Sequence, residues 1–443
     1  MINHRTLWRK DLSDVPAAER RLARYALQLL RGAPDLRPRF QDRDFVGALW
    51  QLCQPIIDLR AAAVQLAPAR DEDDDELLHD WDDMPAPWRD GALREHLQAC
   101  FQTVPPGVLK RLVKADRDDI LSPTVALLGE SLALDETACR VLDFLDLLTL
   151  SEPLRTLLRE CGSAPARLNL RRLAALLGLA EPVLRAALSR QASLRTLGLI
   201  RYDDDPSDLE DFIRTTDLLR EVLENAPPDR ESLLALLIEP APAAVWRTED
   251  FPHLSDAHAR LRDTLSQAAV TGAVGVNALF YGPPGVGKTE LARALGEECG
   301  LTVYQVRSDD EDGDGLSRTG RIGAYLIAQR LLARRRDVLL IFDEVEDAFD
   351  SGDNLFALLR GSNPTGRQKG WMNRILEENP VPAIWIANDT SGMDPAFLRR
   401  FLLPVAFVTP PRSVRRQMAE RHLGDCALPS GLLDELAADP VLA

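Results

Sequence analysis

The sequence predicts a mostly helical N-terminal half followed by an α/β domain in which a parallel sheet lies between two layers of helices. Two observations lead to this fold class. Apolar residues recur at three- and four-residue spacing within residues 1–130, which is the period of an amphipathic helix. From residue 276 onward, short and wholly apolar runs alternate with helical segments, a pattern typical of buried parallel strands.

The composition limits what the chain can be. Its 443 residues are 45% hydrophobic and 28% charged, which is sufficient for a packed core and fits two or three domains. No apolar run approaches the ~20 residues of a membrane span, and the N-terminus has no signal-peptide core. The six cysteines include no CxxC pair, which argues against a disulfide framework or a zinc site. We expect a cytoplasmic protein without membrane contact.

Charge adds a second limit. The net charge is −16, and both halves are acidic: residues 1–240 carry 31 basic and 41 acidic groups, and residues 241–443 carry 22 and 28. Nucleic-acid binding depends largely on neutralising phosphates, so this balance disfavours a general nucleic-acid-coating role. The acidic runs at 71–76 and 80–83 and the acidic, glycine-rich segment 306–320 are expected to be solvated loops.

The pattern divides the chain into four segments. Residues 1–130 are expected to be a helical region and residues 131–239 a second helical domain. A Pro/Ala stretch at 238–244 is the best linker candidate and places the main boundary near residue 240. Residues 240–410 then form the α/β core, and residues 411–443 add helical structure at the end.

Part of the second segment resembles a winged helix-turn-helix. A short helix ends at Gly178, a second helix follows, and the run Leu194–Tyr202 turns into a strand. Reading DNA would require contacts from the second helix and the wing, for which Arg185 and Arg190 are available. Three aspartates follow Tyr202, however. We therefore favour a protein-contact or structural role and keep DNA binding as the alternative.

The most specific motif is the loop Gly282-Pro-Pro-Gly-Val-Gly-Lys-Thr289, which lies between an apolar run and a helix. The spacing G-x-x-x-x-G-K-T allows backbone N–H groups to surround a phosphate at the positive end of the helix. Lys288 would reach the β- and γ-phosphates, and the Thr289 hydroxyl would ligate Mg²⁺. The predicted cofactor-binding residues are Gly282, Pro283, Pro284, Gly285, Val286, Gly287, Lys288, Thr289 and Glu290.

A pair of carboxylates follows the next apolar run. Residues 338–342 are wholly apolar and lead directly into Asp343 and Glu344. Asp343, at the carboxyl end of a strand beside the loop, would hold Mg²⁺ through water. Glu344 would polarise or deprotonate the attacking water.

Two further elements complete the candidate site. The apolar run 383–387 ends in Asn388, whose amide would orient the water between the carboxylates and the γ-phosphate. Arg399 and Arg400 follow shortly afterwards, and guanidinium groups stabilise the charge of a transferring phosphoryl group.

Four motifs in this order resemble those of the AAA family of AAA+ ATPases, over about residues 250–420: YGPPGVGKTE, LLIFDEVED, IWIAND and DPAFLRRF. The resemblance implies a Walker A loop at 282–289, Walker B acids at Asp343 and Glu344, sensor 1 at Asn388, and arginine fingers at Arg399 and Arg400. It implies ATP and Mg²⁺ as cofactors. It also implies an oligomeric ring, usually a hexamer, with ATP at each subunit interface and hydrolysis driving the remodelling of a partner macromolecule.

The chain departs from this family in three places. The two finger arginines are adjacent, so either one is a candidate. The segment 306–320 has no aromatic residue where polypeptide-threading members carry one. Residues 411–443 are short for the family's helical lid, and Arg415 and Arg416 are the candidates for its sensor 2 arginine.

Three functions follow as hypotheses. We favour a Mg²⁺-dependent ATPase that remodels a protein partner selected by the N-terminal region. The first alternative is a nucleic-acid-handling ATPase, such as an initiator, loader or transposition helper. The second alternative is a nucleotide-binding switch that hydrolyses ATP very slowly.

Overall fold

The protein is described by a computed structural model. The described residues are 8–58, 99–117, 120–202, 206–308, 318–345, 375–391, 393, 398–423 and 430–438. The acidic runs at 71–76 and 80–83 and most of the acidic segment 306–320 lie outside them. The chain forms two compact units, Met1–Leu219 and Arg220–Ala443. Of the helices described, none is both long and apolar enough to cross a membrane.

The first unit is mainly helical, as the apolar spacing predicts. Residues Pro34–Gln41 and Gln54–Ile56 form 3-10 helices. Several helices begin at a capping side chain; Asp135, for example, accepts a hydrogen bond from the Ala138 amide at 2.8 Å. Among the described residues of this unit, the α-helices are α1 (Ala17–Gly32), α2 (Arg43–Cys53), α3 (Pro106–Ala115), α4 (Pro123–Leu132), α5 (Glu136–Leu150), α6 (Glu152–Arg159), α7 (Ala166–Leu177), α8 (Glu181–Ala187), α9 (Ser193–Thr196) and α10 (Leu209–Phe212).

A helix, a tight turn and a second helix precede a small β-ribbon in this unit. Helix α7 ends at Gly178, which has a φ of 67°, and the Leu179 amide bonds back to the Ala174 carbonyl at 2.9 Å. Strand β1 (Ile200–Tyr202) pairs antiparallel with β2 (Ile213–Thr215).

The first unit also contains a buried ionic network. Arg21 contacts Asp116 at 3.1 Å and Asp143 at 2.8 Å, and Arg24 contacts Asp116 at 2.7 Å. Asp143 also accepts hydrogen bonds from the amides of Leu121 and Ser122. These four charged side chains are at most 3% exposed, so they neutralise one another inside the helical core.

The second unit is built on a six-stranded sheet made of β3 (Ile238–Pro240), β4 (Asn277–Tyr281), β5 (Thr302–Val306), β6 (Val338–Phe342), β7 (Ala383–Ala387) and β8 (Leu403–Ala406). The strands lie in the order β3-β5-β6-β7-β4-β8. Strand β3 is antiparallel to β5, and every other neighbouring pair is parallel. This confirms the predicted parallel α/β fold.

Seven α-helices of the described residues accompany the sheet, and the first of them spans the position at which the two units divide. They are α11 (Asp217–Asn225), α12 (Arg230–Leu237), α13 (Ser255–Thr271), α14 (Lys288–Glu298), α15 (Arg318–Leu332), α16 (Arg412–Leu423) and α17 (Ser430–Ala438).

Both faces of the sheet are covered, which explains the wholly apolar strands. On one face, Phe280 and Ile341 pack in a cluster with Leu265 of α13 and Leu291 of α14. On the other face, the ring of Tyr325 in α15 contacts Phe342 and Trp385, with centroids 5.7 and 4.7 Å apart. Successive strand residues point to opposite faces, so a strand between two helical layers is apolar at every position.

The boundary differs from the sequence expectation. The division between the two compact units falls after Leu219, about twenty residues before the predicted boundary near 240. Residues 238–240, which begin the proposed linker, form edge strand β3, in which Ile238 pairs with Val306. Three residues give too short a pattern for a strand to be distinguished from a Pro/Ala linker.

Candidate nucleotide site

The glycine-rich loop connects β4 to α14, with its backbone in conformations that favour glycine. Gly285 and Gly287 have φ angles of 80° and 87°, in the left-handed region. A Cβ atom at Gly282 would lie 2.0 Å from the Phe407 carbonyl oxygen. Residues 283–285 are exposed, whereas the Val286 side chain is 2% exposed and anchors the loop in the core.

Lys288, the first residue of α14, is only 5% exposed. Its ammonium group donates to the carbonyls of Gly282 and Pro283, each at 2.7 Å, and to the Asn388 side-chain oxygen at 2.9 Å. An ammonium group has three N–H donors, and these three neutral oxygens satisfy all of them. The loop, α14 and the end of β7 therefore meet at one cation.

Asp343 connects the end of β6 to the start of α14. Its Oδ2 atom accepts a hydrogen bond from the Thr289 hydroxyl at 2.7 Å, and its Oδ1 atom accepts one from the Glu344 amide at 2.8 Å. A hydroxyl and a carboxylate oxygen at this separation are a suitable pair of protein ligands for Mg²⁺, which commonly takes one or two protein groups, waters and substrate phosphates.

Glu344 has an unusual backbone. Its φ angle is +53°, a left-handed conformation that costs a residue with a side chain of order 1–3 kcal/mol. The Glu344 side chain is exposed. The next residue, Val345, donates its amide to the Ile386 carbonyl at 2.9 Å, which holds the turn at the end of β6 against strand β7.

Sequence reasoning missed Arg321, which braces this turn from α15. Its guanidinium donates to the Asp343 carbonyl at 2.5 Å and lies over the Phe342 ring, 5.2 Å from the centroid. The side chain is buried. Nothing in the local sequence distinguishes Arg321 from the neighbouring arginines, because the contact depends on how α15 crosses the sheet.

The predicted finger arginines differ from each other. Both are exposed residues near the start of β8. Arg400 forms an ion pair with Glu377 in the same chain, whereas Arg399 has no ion pair within the described residues. Residues 394–397 of the same motif lie outside the described residues.

The hydrogen bonds of Glu290 run to residues outside the glycine-rich loop. Its carboxylate accepts from the Val245 amide at 3.0 Å, from the Trp246 amide at 3.5 Å and from the Arg293 guanidinium at 3.1 Å. In this structure Glu290 therefore tethers the segment that leads into the domain.

That segment, residues 245–253, packs against the loop and was not predicted to be part of the site. A Cβ at Gly287 would lie 2.8 Å from the Phe251 ring. The His253 ring lies beside Phe251, with centroids 6.3 Å apart, and burial lowers the pKa of His253. Arg421 of α16 pairs with Asp250 and lies over the Trp246 ring, so helix α16 contacts the same segment.

The structure thus brings together Lys288, Thr289, Asp343 and Asn388 from three segments at the carboxyl edge of the parallel sheet. Ligands of open α/β sheets bind at this edge. Glu344 adjoins this cluster through Asp343, while no hydrogen bond or ion pair of the described residues links Glu290, Arg399 or Arg400 to it.

Comparison with known proteins agrees with this geometry. Residues 278–407 match the profile of the family described as ATPase family associated with various cellular activities (AAA). The chain contains an AAA ATPase domain. Such a domain is an ATP hydrolase, and AAA ATPases generally bind ATP with Mg²⁺ and typically assemble as oligomeric rings.

Parts of the chain are similar to several other proteins. The chain is 37% identical over 99 residues to the Holliday junction branch migration complex subunit RuvB of Paracoccus denitrificans, which is 22% of this chain and 26% of that protein. It is 29% identical over 189 residues to the ATP-dependent zinc metalloprotease FtsH of Paraburkholderia phymatum, and the match covers 40% of this chain and 28% of that protein. The solved E. coli MS115-1 HORMA:CdnC:Trip13 complex matches with 18% identity and a TM-score of 0.33, covering 46% of this chain and 80% of that one.

The chain spans between 26% and 28% of the length of the two curated relatives. The names of these two relatives describe different activities, which are Holliday junction branch migration and zinc-dependent proteolysis.

Proposed function

We propose that the chain hydrolyses ATP with Mg²⁺ at the cluster around Lys288 and uses the energy to remodel a protein partner. One observation carries the first part: the Lys288 ammonium donates to the Asn388 side-chain oxygen at 2.9 Å, and the hydroxyl of the next residue, Thr289, donates to the Asp343 carboxylate at 2.7 Å. They lie where the phosphates, the metal ion and the attacking water would meet.

The same bonds suggest how the site accepts ATP. The phosphate oxygens of ATP would replace the loop carbonyls as acceptors for Lys288, with the loop amides surrounding the β-phosphate. Thr289 and Asp343 would hold Mg²⁺ directly and through water. The Asn388 side chain, no longer needed by Lys288, would then orient the water that Glu344 activates.

We propose Arg399 as the finger that enters a neighbouring subunit's site. It is exposed, whereas the guanidinium of Arg400 is engaged by Glu377. A guanidinium supplied in trans stabilises the charge on the transferred phosphoryl group. This proposal requires a ring, and a hexamer is the arrangement that the family resemblance favours.

We propose that α16 and α17 form the partial lid expected for residues 411–443. Both sensor candidates are engaged within this part of the chain. Arg415 donates to the Ala437 carbonyl at 2.7 Å, and Arg416 pairs with Glu420 and Asp434, each at 2.9 Å. The lid would act through Arg421, which contacts the segment 245–253 beside the loop.

A protein partner is favoured over nucleic acid by the arginines of the winged-helix-like segment. Arg171 and Arg185 both pair with Glu181, Arg201 pairs with Asp217 at 3.3 Å, and Arg214 pairs with Asp211. Arginines that are matched by carboxylates of their own chain are poorly placed to neutralise DNA phosphates. We therefore propose that α7–α9 and the β1–β2 ribbon contact protein.

Phosphate release tests the enzyme assignment. We would measure it for the wild type and for Glu344→Gln over a series of protein concentrations, with Glu378→Gln as the matched control because Glu378 is a further carboxylate outside the cluster. Turnover per subunit that rises with concentration, and that only Glu344→Gln abolishes, supports a shared-interface ATPase. Equal turnover in the wild type and Glu344→Gln would refute the base assignment. ATP binding with negligible turnover in the wild type would favour the slow switch.

The same assay with duplex DNA tests the partner class. We expect less than about a twofold change in rate at physiological salt, since the charge of both halves opposes phosphate contact. Salt-sensitive stimulation by DNA would support the nucleic-acid-handling alternative.

A further inference from the structure

A cavity of about 720 Å³ opens in the first unit, between the segment that precedes α1 and the C-terminal end of α3. This volume is in the range of small-molecule sites. Five basic side chains line it: Lys10, Arg20, Arg111, Lys114 and Arg117. This concentration is unusual in a chain with net charge −16 and five lysines in all. We call it the basic cavity.

The acids at the basic cavity compensate little of this charge. Of the residues that the structure describes, Asp11 and Asp116 are the acidic ones in its lining. Asp116 is already paired with Arg21 and Arg24 of the buried ionic network, at 3.1 and 2.7 Å. The network is neutral in itself, so among the described lining residues Asp11 is the carboxylate that remains to balance five cations.

Neutral groups hold two of the lining arginines in place. Arg20 donates to the Leu12 carbonyl at 3.2 Å and to the Val15 carbonyl, and Arg111 donates to the Arg9 carbonyl at 3.4 Å. The Nε atoms of Arg20 and Arg111 are buried, with no hydrogen-bond partner among the described residues. A buried donor without an acceptor is unfavourable. The two guanidinium groups are thus held in place by backbone carbonyls, and neither forms an ion pair with a carboxylate among the described residues.

The lysines and one helix end add to the positive potential. Lys10 and Lys114 are exposed, and neither forms an ion pair in the part of the chain that the structure describes. Ala17, also in the lining, begins the 16-residue helix α1, whose N-cap is Pro16 and which has no side-chain cap. Its first-turn amides and the positive end of its dipole therefore favour an anion nearby.

We propose that the basic cavity binds a small anion that carries phosphate groups, as an inorganic polyphosphate or as a nucleotide. Guanidinium groups bind phosphate oxygens in pairs of hydrogen bonds, and ammonium groups add point charges. The cavity volume suits several linked phosphates better than a single ion. This site is separate from the loop site, because all its lining residues lie between residues 10 and 121.

Titration calorimetry with inorganic tripolyphosphate tests the proposal. The full chain would carry Lys288→Met, so that the loop site contributes little to the measurement. We expect one saturable site per chain. Adding Lys10→Ala and Lys114→Ala together weakens it by at least about tenfold, since charge-assisted bonds to phosphate are lost. The matched control is Lys110→Ala, an exposed lysine of the same helix α3 that does not line the cavity, and it should change affinity by less than about twofold.

If the thermal unfolding temperatures of the variants are unchanged, the differences in tripolyphosphate affinity reflect binding and not loss of the fold. Absence of saturable binding, or equal weakening by Lys110→Ala, would overturn the proposal, because the effect would then be one of overall charge. Pyrophosphate and ADP distinguish the two sources of the ligand. Tighter binding of ADP assigns a nucleotide, and equal affinity assigns the phosphate chain alone.

Discussion

The buried ionic network of the first unit and the cluster around Lys288 are both made of polar side chains taken out of water, yet they hold their charges differently. In the network, Arg21 and Arg24 contact Asp116 directly, and Arg21 also contacts Asp143. In the cluster, the Lys288 donors are met by two carbonyls and an amide oxygen.

Asp343 follows the same pattern as Lys288, since a hydroxyl and a backbone amide meet its carboxylate. Charges that neutralise each other form a closed structural unit, and removing one member leaves the other buried and unpaired. Charges held by neutral groups can exchange those groups for a phosphate or a metal ion at small cost. We infer that the first arrangement stabilises a fold and the second prepares a site.

The largest effect should come from breaking the closed network. Asp143→Ala removes one of the carboxylates that accept hydrogen bonds from Arg21. It also removes the acceptor for the backbone amides of Leu121 and Ser122. We expect a loss of about 3–5 kcal/mol in the free energy of unfolding, because a buried charge is left uncompensated. Urea unfolding of the full chain measures it.

Asp14→Ala is the control for Asp143→Ala. It breaks the exposed Arg9–Asp14 pair, in which Asp14 is 70% exposed, and should cost less than about 1 kcal/mol. An equal loss in the free energy of unfolding for the two variants would contradict the distinction between charges paired with each other and charges held by neutral groups.

The second prediction concerns the cluster around Lys288, whose charges are held by neutral groups. Lys288→Met keeps the aliphatic stem and removes the ammonium group. We expect ATP affinity to fall by at least about a hundredfold, or about 2.7 kcal/mol, because the phosphate charge loses its partner. The free energy of unfolding should change by less than about 1 kcal/mol, since the three hydrogen bonds from Lys288 to Gly282, Pro283 and Asn388 run to neutral acceptors. Lys110→Met controls for the loss of one positive charge, and a stability loss as large as that of Asp143→Ala would remove the contrast.

A smaller effect is expected from Arg321. Arg321→Met releases the Asp343 carbonyl and should lower kcat by about tenfold, or about 1.4 kcal/mol, through misplacement of Asp343 and Glu344. Because Arg321 acts through Asp343, the Mg²⁺ concentration for half-maximal rate should rise while ATP affinity changes little, and Arg321→Lys should restore part of the rate.

Arg335→Met serves as the control for Arg321→Met, since it removes an exposed arginine that pairs with Asp337 in the same unit. An unchanged Mg²⁺ dependence in Arg321→Met would show that the arginine only supports the fold.

The smallest effect should come from Glu290. Its hydrogen bonds run to Val245, Trp246 and Arg293, so Glu290→Gln should alter ATP affinity by less than about twofold and stability by about 1 kcal/mol or less. Equilibrium binding of ATP and urea unfolding measure the two effects. A tenfold loss of ATP affinity would instead favour the direct nucleotide contact that the motif position suggests.

The contrast between the two clusters also explains what could be predicted from the sequence. The residues Gly282–Thr289, Asp343 and Asn388 each follow an apolar strand, and parallel strands bring their carboxyl ends to one edge. Local pattern was therefore sufficient to predict that they meet. The ionic network joins residues 95 and 122 positions apart, and no local pattern relates them.

Arg321 and the segment 245–253 were missed for the same reason, since each reaches the site through the packing of a whole element. The short strand β3 was assigned to a linker because three residues carry too little pattern. The winged-helix assignment and the partial lid stay predictions.

The central claim is that each ATP site combines the cluster of one chain with Arg399 of another. Mixing Glu344→Gln with Arg399→Ala and measuring phosphate release tests it most directly. Each variant alone should be nearly inactive. In a mixed assembly, an Arg399→Ala subunit keeps Glu344 and receives Arg399 from a Glu344→Gln neighbour, so the mixture should recover turnover. As the control, the Arg400→Ala variant measured by itself should hydrolyse ATP without being mixed with another variant. A mixture as inactive as either variant by itself would contradict the shared site.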